Sequence, residues 1–132
     1  KRIDNGEWIY GYYVGFGSLI VFSTIDGFTQ NDYGSKCTST RVIPETVGQF
    51  TGLLDKNGKK IFEGDVVKFN NHNWKEEVYI ATVVWGKKSH GYSLKVDTKL
   101  YNKWGSIKYY SLPCSKNIEI IGNVTDNPEL LK

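Results

Sequence analysis

The stretch FTGLLDKNGKKIFEGDVVKF, residues 50–69, carries the most regular punctuation in the chain. Short apolar segments alternate with two polar breaks, Asp55-Lys56-Asn57-Gly58 and Glu63-Gly64-Asp65. Apolar runs this short, bounded by Gly, Asn and Asp, read as strands rather than helices. Asn and Gly tolerate the positive φ of tight hairpins, so Asn57-Gly58 predicts a type I′ or related turn. Gly52, Asp55, Asn57, Gly58, Gly64 and Asp65 are therefore read as structural turn residues that launch strands. The sharper alternative is a catalytic carboxylate pair, because Glu63 and Asp65 stand two apart and would share one face of a strand. Gly64 bends the chain between them, and no neighbouring acid, histidine or metal set joins them, so scaffolding is the preferred reading.

The same punctuation extends in both directions. Asp4-Asn5-Gly6 is a turn signal, residues 7–14 form an aromatic-rich strand ended by Gly15 and Gly17, and residues 18–24 form an apolar second strand. Residues 30–39 are polar and read as a loop. The next strand stops at Pro44, which pushes Ile43 toward an extended conformation. Residues 77–85, EVYIATVVW, are rich in β-branched and aromatic side chains and predict a strand. Residues 91–96 are its hairpin partner, and residues 106–112 and 118–124 are two further strands. Asn127 and Pro128 suit the cap and first position of one short terminal helix. The sum is a mostly-β chain of roughly eight to ten short antiparallel strands. Such chains close into sandwiches or small barrels to remove exposed edges.

Composition bounds the function classes. A chain of 132 residues holds one ordinary domain or two very small ones. Hydrophobic content of 39% is adequate for a core, and charged content of 23% argues against disorder. A net charge of +3 names no anionic partner by itself. Cys37 and Cys114 lie far apart in no metal-like spacing and are expected as free thiols of a reducing cytoplasm, with a disulfide as the less favoured alternative. His72 and His90 lack the further ligands that a zinc site needs, so no metal and no cofactor are expected. No serine elbow and no phosphate-binding glycine loop is present, so catalysis is not expected. No apolar run reaches membrane-spanning length, and a cytoplasmic location follows as the expectation.

Several motifs, taken in order, resemble the YopX family of phage and prophage proteins. They are Phe50-Thr51-Gly52-Leu53, Asp55-Lys56-Asn57-Gly58, and Ile61-Phe62-Glu63-Gly64-Asp65-Val66-Val67. The closing motif is Ile121-Gly122-Asn123 with Asn127-Pro128-Glu129-Leu130-Leu131, and the opening from Lys1-Arg2 through Trp8 and Tyr10-Gly11-Tyr12 is also similar. The resemblance implies a phage-encoded fold whose C-terminal part is a small barrel of the Src-homology-3-like type, and it makes an oligomer plausible. It carries over no catalytic residue. Residues 1–48 then read as an N-terminal β-hairpin region and residues 49–132 as the barrel region, the two able to pack as a single unit.

Two binding surfaces follow from the residues. Trp8, Tyr10, Tyr12 and Tyr13 would suit self-association, since Tyr and Trp anchor interfaces well. If the N-terminal hairpins exceed what one small barrel can cover, their apolar face should seek another copy of the chain. The alternative is nucleic acid. Between residues 86 and 116, seven lysines face one acid, a local charge of +6, with aromatics interleaved. Lys87, Lys88, Lys95, Lys99, Lys103 and Lys108 would meet phosphates, and Trp104 and Tyr109 would stack on bases. The bland reading of the same residues is solvated, edge-protecting lysines and core aromatics. The preferred expectation is a non-catalytic binding or self-assembly protein, a homo-oligomer, with nucleic-acid binding as the alternative.

Overall fold

The computed structural model describes residues 1–16, 18–23, 38–70, 78–86, 90–97, 106–112 and 116–132. The chain divides into two compact units, Lys1–Val47 and Gly48–Lys132. Ten strands are found among the described residues, all paired antiparallel, and the only helical pieces there are short 3-10 turns.

In the first unit, β1 (Tyr12–Phe16), β2 (Ser18–Ser23) and β3 (Thr38–Arg41) form a three-stranded sheet in sequence order. Gly6 takes φ +71, as a turn at Asp4-Asn5-Gly6 requires. The Asn5 carboxamide oxygen accepts from the Glu7 N–H at 3.0 Å, and the Arg2 N–H donates to the Glu7 carbonyl at 2.9 Å. That local turn takes up the backbone at Glu7, so residues 7–11 do not join the expected strand. The strand begins at Tyr12 and runs through Gly15, which pairs with Leu19. β3 begins at Thr38, inside the segment expected to be loop. Ile43 is extended (φ −74, ψ 119) before a 3-10 turn at Pro44–Thr46, as the proline dictates. Val42 is buried, and the side chains of residues 12 and 14–39 lie outside what the structure describes.

The second unit opens with a hairpin, β4 (Phe50–Leu54) and β5 (Lys60–Phe62). Five more strands follow: β6 (Asp65–Asn70), β7 (Val78–Gly86), β8 (Gly91–Asp97), β9 (Ile107–Ser111) and β10 (Lys116–Asn123). They form one sheet in the order β10-β6-β7-β8-β9. Alternation along these strands sends one set of side chains inward. Val67, Phe69, Ala81, Val83, Leu94 and Val96 are fully buried there, joined by Ile61 from β5 and by Leu112. Tyr79 and Tyr110 pack beside Phe69, with ring centroids 5.9 and 5.5 Å away. Among the described residues this sheet is open, running from β10 to β9 without a closing ladder.

β10 is irregular where it meets β6. Its register shifts between Lys116 and Glu119 and again between Ile120 and Gly122, two bulges that coil the edge strand. Asn117 takes φ +52 at the first bulge, a conformation that Asn tolerates. After Asn123 the chain turns into the terminal 3-10 turn Pro128–Leu131. Asn127 stands at its N-cap but makes no capping bond; its side-chain oxygen instead accepts from the Asn123 N–H at 3.3 Å. The Asn123 oxygen accepts in turn from the Thr125 and Asp126 N–H groups at 3.0 and 2.8 Å.

Two glycines are required by close approach. A Cβ on Gly122 would lie 2.5 Å from Asn127 Oδ1 and 2.9 Å from Leu130 Cδ1, and one on Gly48 would overlap the Glu63 carbonyl oxygen. Gly122→Ala should cost about 2 kcal/mol, as overpacking does. Gly48→Ala should cost more, because its neighbour is backbone and not the end of a side chain. Urea unfolding of the two variants checks the ranking, and equal midpoints would contradict it.

Candidate functional site

The motif that dominates the sequence folds into a lock between the β4–β5 hairpin and the edge of the sheet. The Asp55 carbonyl accepts from the Gly58 N–H at 3.0 Å, closing a tight turn in which Gly58 alone takes a positive φ, +80. A type I′ turn needs positive φ at both central residues, so the turn here is of a different type. The reason is the Asp55 side chain. Its Oδ1 accepts from the Asn57 and Lys59 N–H groups at 2.8 and 2.9 Å and holds Asn57 out of the left-handed region. Its Oδ2 accepts from the Ile120 N–H of β10 at 3.2 Å, while the Lys56 N–H donates to the Ile118 carbonyl at 2.8 Å. Burial pushes the Asp55 carboxyl up, but the N–H groups of Lys59, Ile120 and Asn57 together hold it below the ordinary carboxylate range.

The second break does related work. Gly64 takes φ +90, donates to the Val83 carbonyl at 2.9 Å and accepts from the Val124 N–H at 2.9 Å. Asp65 Oδ2 accepts from the Phe62 N–H at 2.8 Å; burial pushes this carboxyl up against that hydrogen bond. Glu63 sits in the turn and not on a strand, and its Oε1 accepts from the Trp85 N–H at 3.4 Å. Glu63 and Asp65 are thus held by different partners on either side of a bent glycine. Glu119 stands between Lys56 and Lys68, 2.7 and 3.1 Å from their ammonium groups, and those lysines, Lys56 first, pull its carboxyl down. A shallow hollow of about 220 Å³ beside the lock is lined by Leu54, Asp55, Lys56, Asn117 and Ile118. Its buried acid accepts from three backbone N–H groups and from the Asn57 carboxamide.

The expected lysine and aromatic surface is divided by the sheet. Lys95 of β8 pairs with Tyr109 of β9, and both lie on the face opposite the core. Lys108 pairs with Val96, a core residue, and so points to the other face. Tyr109 is exposed, whereas Tyr110 is turned onto Phe69 and Tyr79. Lys87, Lys88, Lys99, Lys103 and Trp104 lie outside the described residues, as do Cys37, Cys114 and His72. His90 is exposed in the β7–β8 hairpin at φ +50. No group of three or more metal-ligating side chains forms among the described residues. No helix among them is long and apolar enough to cross a membrane.

In the first unit Trp8, Tyr10 and Tyr13 are exposed, and Lys1 Nζ lies 5.6 Å from the Trp8 ring centroid. The Tyr12 side chain lies outside what the structure describes, although its backbone pairs with Phe22.

One association was not read from the sequence. Glu63 of the turn, Trp85 of β7 and Tyr92 of β8 converge at one end of the sheet. Trp85 pairs with Tyr92 across the ladder, and their rings meet edge-to-face at 5.0 Å and 80°. Glu63 and Trp85 are far apart in the chain, and the Gly64 N–H bond to Val83, continued by the β6–β7 ladder, brings the turn onto β7. The exposed tryptophan ahead of the Gly86 turn was the available signal.

The lock generates a contrast. Asp55 uses both carboxylate oxygens on backbone N–H groups, whereas Asp65 uses one. Asp55→Asn should cost about 2 kcal/mol, since an amide N–H₂ would face the N–H groups that need an acceptor. Asp65→Asn should cost clearly less. A carboxylate held below its unfolded pKa adds stability above that pKa and loses it as pH falls through the folded value. The wild-type protein should therefore lose stability in acid more steeply than Asp55→Asn. Melting temperatures of both variants between neutral pH and about pH 3 measure this, and parallel acid profiles would contradict it.

Comparison with protein families matches residues 5–132 to the YopX protein family. Comparison with curated proteins gives no match. The family match spans nearly all of a chain whose turn motifs are accounted for by the fold, and the chain belongs to the YopX family.

Proposed function

We propose that this YopX-family chain is a phage or prophage accessory protein that works by binding, assembling with further copies of itself in the bacterial cytoplasm, and is not an enzyme. The observation that supports this most is the character of the first unit. Trp8, Tyr10 and Tyr13 are 41, 69 and 54% exposed. Large aromatics clustered in sequence and exposed at a surface are what a second copy would cover. The proposal extends to the fold of the second unit, a small barrel of the Src-homology-3-like type. The hydrogen bonds from the Asp55 turn to β10 bring the β4–β5 hairpin to the sheet edge, as such a barrel needs.

One observation favours a second reading. Lys95 and Tyr109 are direct neighbours on the outer face, an arrangement that would suit the backbone and a base of a single-stranded nucleic acid. Lys87, Lys88, Lys99, Lys103 and Trp104 would extend that surface, whereas Lys108 lies on the opposite face.

Size-exclusion chromatography with light scattering, with and without mixed-sequence single-stranded DNA at two salt concentrations, separates the readings. The expected result is a multimer that ignores DNA. The triple variant Trp8→Ser, Tyr10→Ser, Tyr13→Ser should run at single-chain mass with its fold intact by circular dichroism. A monomer that shifts onto DNA at low salt and leaves it at high salt would reverse the ranking.

A further inference from the structure

The surface at Glu63, Trp85 and Tyr92 has unused recognition capacity. Trp85 is 49% exposed, and Tyr92 props its ring edge-on. The Glu63 carboxylate is aimed by the bond that its Oε1 accepts from the Trp85 N–H at 3.4 Å. Among the described residues, Glu63 Oε2 accepts no hydrogen bond, the Tyr92 hydroxyl has no partner, and no cation sits on Glu63 or on the Trp85 ring. Burial, and then the negative charge of Glu63, raise the Tyr92 hydroxyl pKa, so the two groups act on the same space.

An exposed indole face beside a free carboxylate and a free phenol has a definite chemical complement. A guanidinium is planar, stacks on an indole, and presents several N–H donors in its plane for a carboxylate and a hydroxyl. An ammonium would keep the charge but lose the stack. A phosphate would be repelled by Glu63.

The chain carries such a group. It has two arginines, Arg2 and Arg41. Arg2 is engaged by Asp4, donating through Nε at 2.9 Å and through Nη2. Arg41 ends β3, an edge strand of the first unit, and is exposed. Its carbonyl is fixed by the Ile3 N–H at 3.1 Å, but its guanidinium has no partner among the described residues. Arg41 belongs to the same unit as the exposed Trp8, Tyr10 and Tyr13.

We propose that Arg41 of one copy docks on the Glu63–Trp85–Tyr92 surface of a second copy, so that self-assembly joins the first unit of one chain to the second unit of the next. This rests on the self-association reading above. Such a contact uses two different surfaces, so it propagates head to tail and closes into a ring or extends as a filament. A charge pair with a stacked guanidinium at its centre would set register as well as affinity.

Charge reversal tests it. Arg41→Glu removes an exposed side chain with no hydrogen bond or ion pair among the described residues, so the fold should survive. Glu63→Arg removes a carboxylate bound to the Trp85 N–H, and Glu63→Gln, which keeps an acceptor there, guards against a folding defect. Arg41→Glu and Glu63→Arg should each weaken self-association at least about tenfold by light scattering, and Glu63→Gln by less. An equimolar mixture of the two reversed proteins should regain heteromeric association, because Glu63 of one meets Arg41 of the other. Intact assembly of Arg41→Glu would overturn this pairing and leave the self-association reading standing. Two weakened variants that fail to recover on mixing would overturn it equally. A wild-type protein that is monomeric at every concentration would overturn both.

Discussion

The second unit depends on one buried carboxylate. Asp55 closes its own turn through the Asn57 and Lys59 N–H groups and reaches across to the Ile120 N–H of β10. A charged group at a buried position has to be answered by donors, or it would be neutral or absent. Here the donors come from two separate parts of the chain, so meeting the charge and joining the hairpin to the sheet are the same event. The hairpin also covers part of the β10 edge that would otherwise stand unpaired, a common liability of open sheets. The first bulge of β10, with Asn117 in a left-handed conformation, lies immediately ahead of the Ile118 carbonyl that the Lys56 N–H meets.

From that lock the remaining motif residues form a connected series. Gly64 ties the β5–β6 turn to β7 on one side and to Val124 on the other. Asn123 and Asn127 answer each other's backbone, and Gly122 leaves the room they need. The parts of the sequence that stand out most are thus occupied in holding strands together. Their polar atoms face backbone groups, which is chemistry of position and not of reaction. Glu63 differs. It sits within the motif, yet it keeps one oxygen uncommitted near the exposed Trp85 and the half-buried Tyr92. The motif builds the frame and at one corner presents a group outward.

The fold was legible where side-chain type determines backbone geometry. Short apolar runs between Gly, Asn and Asp gave strands at β5, β6, β7 and β8 close to their observed bounds. Pro44 and Pro128 each stand at the start of a 3-10 turn. Misreadings arose where a side chain competes with an intrinsic preference. Asn57 favours a positive φ, but Asp55 holds its N–H otherwise. Asn127 is a good cap, but its oxygen is taken by Asn123. Residues 7–11 are aromatic enough for a strand, but Asn5 captures the Glu7 N–H first. None of these contests shows in propensity alone, since each depends on which partner arrives at hydrogen-bond distance. Sheet faces were harder still. Lys95 and Lys108 look equivalent in the sequence, and only the ladder register puts them on opposite sides.

The same limit applies to the candidate surfaces. Glu63 pairs naturally with Asp65 in the sequence because they are two apart, and a strand would set them side by side. Gly64 at φ +90 removes that geometry, and the turn gives Glu63 to Trp85 and Tyr92 instead. The change alters the chemistry on offer. Two adjacent carboxylates would share a proton or hold a cation between them. One carboxylate beside two aromatic rings offers a face and a charge, which is how proteins recognise another side chain. The self-assembly proposed for this chain would draw on what its surfaces can cover. The two features that bear on this, exposed aromatics in the first unit and an unanswered carboxylate in the second, are complementary in kind. One brings apolar area, which supplies binding energy without direction. The other brings a directed charge, which adds little area but selects a single orientation.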